Sequence, residues 1–264
     1  MKRISFWLIP FITLGALAGF YLLPESQKPA PQPIGTPLPA LEPGIRHPVE
    51  TADTAGEPLP QLTESDGPFS DALAALLGRN LPQFVYVDDM VHRIVATIDN
   101  LPRDYVAPKL MPVKPASGLL ITASSGDDLA LSPKNAERYG RYVRFVDAVP
   151  TEAMVALYAR FYPLFQEQYE KLGYPGKNFN DRLVEVIDHL LTTPEIDGTL
   201  RLTQLRILYQ FADPKLERLS AGQKILLRIG HANELKVKSK LREIRQALVS
   251  MAPASALGNH DSRS

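Results

Sequence analysis

Residues 151–172 read TEAMVALYARFYPLFQEQYEKL, and this stretch decides the fold. Met154, Leu157, Tyr158, Phe161, Leu164, Phe165, Tyr169 and Leu172 recur at spacings of three and four, which places them on one broad helix face. A face that wide and that aromatic has to be covered by other elements. Pro163 should kink the helix, and Gly173 should stop it.

The neighbouring segments repeat the period. Asn180 can cap a helix running to Leu191, with Leu183, Val184, Ile187, Leu190 and Leu191 on its buried side. Thr203 to Phe211 is expected to form another, short of Pro214. Ser220-x-x-Gln223 fits a capping box and opens one long helix to about Met251. Its stripe is Leu226, Ile229, Asn233, Val237, Leu241, Ile244 and Leu248. Asn233 interrupts that stripe, either as a satisfied core amide or as a residue that fixes the register of a helix pair. Upstream, Phe69 to Leu77 reads as a short helix with Asp66 or Ser70 as N-cap and Gly78 as its end. Pro82 to Asn100 reads as one amphipathic helix. Between Leu101 and Pro150 prolines break the pattern, and Leu119–Thr122 and Leu129–Leu131 suggest a β-hairpin turning at Ser125-Gly126-Asp127, or plain loop. The fold class is therefore mainly α: a single helical domain at residues 69–251 with a small irregular or β-hairpin insertion.

Two different segments precede that domain. Ile4 to Leu23 is uncharged and follows Lys2 and Arg3. Twenty helical residues rise about 30 Å, the thickness of a bilayer's hydrocarbon core. Residues 1–23 thus read as a transmembrane anchor with a cytoplasmic N-terminus and everything after Leu23 outside. The rival reading is a signal peptide cut at Ala16-Leu17-Ala18. Gly15 and Gly19 form a GxxxG through which two anchors could pair, making a homodimer. Residues 24–68 hold eleven of the 24 prolines and few large apolar residues. Such composition predicts a disordered tether of polyproline character. Residues 252–264 are expected to be a disordered tail.

Composition narrows the chemistry. The absence of cysteine excludes disulfides, thiolate nucleophiles and Cys-ligated zinc. Net charge is zero, but residues 201–250 carry eleven Lys and Arg against four Asp and Glu. No GxSxG and no phosphate-cradling glycine loop occurs, so no cofactor is expected. With the domain outside the membrane, nucleic acid is not an expected partner.

Four blocks carry a family resemblance: IVATIDNLPR (94–103), LYARFYPLFQEQYEKLGYP (157–175), FNDRLVEVIDHLL (179–191) and FADPKLERLSAGQKILLRIG (211–230). In this order they resemble a bacterial family known as domain of unknown function 3014. The resemblance implies an envelope protein of Gram-negative bacteria, single-pass in the inner membrane with its C-terminal domain in the periplasm. It carries over no activity and no catalytic residues.

Three groups of residues qualify as candidate sites. Asp181, Glu185, Asp188 and His189 share one face of a helix, where carboxylates and an imidazole could bind a divalent cation. Their spacing misses both HExxH and the di-iron Glu-x-x-His pattern, and a solvated face with Arg182 pairing Glu185 is the plainer reading. Arg138, Tyr139, Arg141, Tyr142 and Arg144 interleave arginine with tyrosine, a pattern suited to a carboxylate, phosphate or glycan. The alternative is a wrapped segment whose tyrosines pack inward. Lys238, Arg242 and Arg245 line a basic helix face that could meet anionic lipid or an acidic protein, or simply stay solvated. The expected role is binding: a tethered adaptor for another envelope protein or a glycan. The runner-up is a peptidoglycan-directed enzyme working from the acidic/His face.

Overall fold

A computed structural model describes residues 44–49, 58–78, 81–125, 128–204 and 208–251. The expected anchor, most of the linker and the tail lie outside these residues. Among the described residues no helix is long and apolar enough to cross a membrane.

The domain is mainly α-helical, with one small antiparallel sheet. Its helices are α1 (Asp66–Leu77), α2 (Leu81–Phe84), α3 (Met90–Asn100), α4 (Lys134–Asp147), α5 (Thr151–Lys171), α6 (Phe179–Leu191), α7 (Pro214–Glu217), α8 (Ala221–Arg228) and α9 (His231–Ser250). The strands are β1 (Thr122–Ser125), β2 (Asp128–Leu131), β3 (Arg201–Thr203) and β4 (Gln210–Phe211), paired in that order.

Helix α5 is the axis of the core, as its periodicity requires. Its Phe161 and Phe165 rings meet Phe69 of α1 edge-on at 5.0 and 5.6 Å, and Phe165 stacks towards Phe179 of α6 at 6.0 Å. Helices α3 and α9 complete the enclosure with Ile94, Val95, Ile98, Val237 and Leu248, all buried. A second, smaller cluster lies under the sheet, where Leu200, Leu202 and Phe211 pack on Leu227 of α8.

Several expectations need correction. The helix expected at Pro82–Asn100 is broken: Val85 bridges Val113, and Asp89 sits in the left-handed region at φ 54°. The carboxylate of Asp66 accepts from the Asp89 and Met90 backbone N–H groups at 2.7 and 3.0 Å. Asp66 thus caps α3, and not its own helix. In place of the helix expected from Thr203 to Phe211, Thr203 ends one strand and Gln210 and Phe211 form another. Leu202 pairs with Phe211 across β3 and β4, because Leu200 and Leu202 alternate with polar residues and bury one face only. The long C-terminal helix is divided at Gly230, whose φ of +91° no helix accommodates. Asn178, two residues earlier than the expected Asn180, caps α6 by accepting from the Asp181 N–H at 3.0 Å. The capping box of α8 is present in both arms, and the first hairpin forms with β1 shifted to Thr122–Ser125. Asn233 is a satisfied amide that donates to Ala136 O and Ile229 O, tying α9 to α4.

Candidate peptide-binding site

The first turn of α6 carries a polar constellation that holds another piece of this chain. Phe179 and Asn180 are fully buried there, and Asp181 points outward beside them. Asn180 Oδ1 accepts from the Tyr158 hydroxyl at 3.1 Å, which fixes the amide's orientation. Its Nδ2 then donates to His47 O at 2.9 Å. The chain bends at Arg46 and His47, and their successive N–H groups donate to Asp181 Oδ2 and Oδ1 at 3.0 and 2.7 Å. One carboxylate therefore takes two backbone donors, and one amide supplies the matching donor to the carbonyl. Val49 packs against the main core, while Ile45 remains 59% exposed. These six residues fall within the stretch that composition alone assigns to the linker.

The platform beneath is rigid. Gln166 Oε1 accepts from Phe179 N at 2.8 Å and from the Tyr162 hydroxyl at 3.1 Å, and Asn178 donates to that hydroxyl at 2.8 Å. Burial raises the Tyr158 phenol well above its ordinary range and pushes Tyr162 up to about 12. Both stay protonated at any physiological pH, so Tyr158 remains a donor to Asn180.

Next along α6, Arg182 turns towards α3. Its Nε meets Asp99 Oδ1 at 3.0 Å and its Nη2 donates to Asp99 O at 3.0 Å. Arg103 and the Tyr174 hydroxyl donate to Asp99 Oδ2 at 2.6 and 3.0 Å. The Asp99 side chain is only 6% exposed, so two guanidiniums and a phenol compensate one buried carboxylate. Asp99 in turn raises the pKa of Arg103 through its charge. Asp99, Tyr174 and Arg182 belong to three of the four blocks that carry the family resemblance. The fourth closes the same corner, where Ala221 N and Gly222 N donate to Arg103 O and Leu101 O at 2.7 and 2.9 Å. Sequence spacing could not reveal this meeting, because even Arg182 and Asp99 lie 83 residues apart.

The acidic/His face does not converge. Asp181 holds the bent segment, Glu185 pairs with Arg182 at 3.0 Å, and Asp188 pairs with Arg245. His189 Nε2 lies 2.9 Å from Ser220 Oγ, and burial lowers its pKa, with the charge of Arg182 adding to the effect. Ser220 Oγ also accepts from Gln223 N, so its proton is free to go to a neutral His189. Among the described residues no group of three His, Asp or Glu is placed to hold a metal ion.

The arginine/tyrosine motif lies on α4, and its rings face inward. Tyr139 and Tyr142 are buried. Burial raises the Tyr139 phenol pKa. Arg138 is engaged with the 116–118 loop, donating to Gly118 O at 2.8 Å. Arg141 lies over the Tyr142 ring at 4.5 Å, and Arg141 and Arg144 are the exposed members. The basic face of α9 is similarly divided. Lys238 is buried, donating to Thr193 O and to Glu195 at 2.9 Å, so no lipid headgroup can reach it. Arg242 is 56% exposed and Arg245 is held by Asp188.

Comparison with known proteins identifies the chain at the level of family. Residues 90–245 match the model of the family described as Protein of unknown function (DUF3014). The match covers more than half of the chain, and the chain belongs to that family. No curated protein and no solved structure matches it.

Proposed function

We propose that the protein is a membrane-tethered adaptor of the cell envelope, anchored in the inner membrane by residues 4–23, with its helical domain in the periplasm. The observation that carries the binding role is the clamp on α6. Asn180 and Asp181 grip a segment of this same chain through its backbone, the kind of contact by which domains recognise extended peptide. The ionisable groups around it support the same reading, since Glu185, Asp188 and His189 each serve a separate structural partner. Arg141 and Arg144, the exposed members of the motif, offer a surface for an acidic segment of a partner protein.

The test is photo-crosslinking of the full chain in living cells from a reactive residue placed at position 144. The adaptor reading expects one envelope protein to be captured reproducibly, with capture reduced at least about tenfold when Arg141 is changed to Ser. Absence of any captured protein, together with turnover of peptidoglycan fragments by the purified chain, would replace the adaptor with the enzyme.

A further inference from the structure

The geometry points to a clasp: we infer that the cleft over the first turn of α6 is a docking site for this chain's own residues 45–49, which fastens the linker to the domain. Three features fit that occupant. The hydrogen bonds from Asp181 and Asn180 read the backbone of Arg46 and His47, so they require a chain bent at that point. Pro48 follows directly, and its fixed φ restricts the conformations available to the preceding residue. Val49 then supplies the side-chain contact, set against the main core. Asn180 is fully buried at this contact, with one end of its amide on Tyr158 and the other on the clasped chain. A released clasp would leave that buried Nδ2 without its carbonyl partner.

Connectivity favours a clasp within one chain. Eight residues, 50–57, separate Val49 from the described chain at Pro58. They span at most about 29 Å when fully extended. A link that short keeps the segment at an effective concentration on the order of millimolar, against which a second copy must compete. The consequence for reach rests on the anchor proposed above. With residues 45–49 held, the part of the tether left between anchor and domain is 24–44; without the clasp it would be 24–57, since Leu59 and Leu62 already pack on the core. At about 3.1 Å per residue the maximum span falls from about 105 Å to roughly 65 Å.

Trypsin reads the clasp directly. Arg46 is the sole Lys or Arg between residues 29 and 78, and Lys28 precedes a proline that blocks cleavage. One cut therefore reports one event. The purified full chain is expected to be cut after Arg46 at least about tenfold more slowly than a synthetic peptide of residues 41–52. Asp181→Ala should bring the rate to that of the peptide. So should Val49→Asp, which alters the clasp and leaves α6 untouched, with the domain's thermal unfolding as a check on both. Cleavage of the unaltered chain at the peptide's rate would overturn the clasp, as would protection that survives both substitutions. Protection lost on dilution would assign the segment to a second copy and overturn the single-chain arrangement. A failure of the anchor would show in membrane fractionation and leave these rates unchanged.

Discussion

Gly222 sits where three helices meet, and the space around it is closed. A Cβ there would lie 2.6 Å from Leu190 Cδ2 and 3.0 Å from Leu101 O. The leucine side chain can move, but the carbonyl oxygen already accepts from the Gly222 N–H and cannot. Gly222→Ala is expected to cost about 1–3 kcal/mol, measured by urea unfolding. A loss below about 0.5 kcal/mol would mean that the corner yields. His189 gives a pH-dependent counterpart. Its folded-state pKa lies below the ordinary value of 6.5, because burial disfavours the imidazolium. Protonation therefore favours the unfolded chain. The contribution of His189 to stability is intact above the unfolded pKa, falls as pH drops through it, and levels off below the folded pKa. Replacing His189 with Gln should reduce the loss of unfolding free energy between about pH 7.5 and 5.5. An identical slope in both proteins would remove His189 from the acid response.

At the scale of elements, the period of the helices was readable and their interruptions were not. The face on α5 and the Ser220/Gln223 box are local patterns, and both stand as read. The break at Asp89 depends on a carboxylate 23 residues away, so no window of sequence around α3 contains it. Leu200 and Leu202 had a period-two signal, but the run is too short to outweigh the helical spacing that follows. Gly230 was a visible break signal inside a long apolar stripe, and its φ of +91° decides the matter. Gly230→Ala should destabilise by more than about 1 kcal/mol, since the left-handed conformation is strained for alanine and its Cβ would lie 2.7 Å from Ala136 Cβ. The α9 stripe also concealed a buried ion pair. Lys238 and Glu234 are each 1% exposed and 3.3 Å apart, and Glu234 Oε1 takes no hydrogen bond. Desolvation accordingly raises the pKa of Glu234 despite the nearby ammonium. Lys238→Met should cost about 3–5 kcal/mol, because it strands the Glu234 carboxylate. The double variant with Glu234→Leu should recover part of that loss, and strictly additive losses in a double-mutant cycle would show the two charges to be uncoupled.

At the scale of the whole molecule, the proposed architecture joins a domain that holds backbone of its own chain to a segment, Ile4–Leu23, whose composition suits a bilayer. The candidate sites read from sequence were helix faces, and a face says nothing about what packs over it. Asp181 is on the face that was singled out, yet its role came from Arg46 and His47, more than 130 residues away. Asp99 and Tyr174 gave no local signal, because a buried charge network is defined by partners and not by spacing. The anchor proposed above rests on sequence: an apolar, uncharged run at Ile4–Leu23 with Lys2 and Arg3 on its N-terminal side. The most direct test is protease access in intact spheroplasts prepared from cells making the full chain. The account expects the chain to sediment with the inner membrane, and external protease to digest the domain while a cytoplasmic marker survives. A chain recovered in the soluble fraction, or a domain degraded only after the inner membrane is lysed, would contradict it.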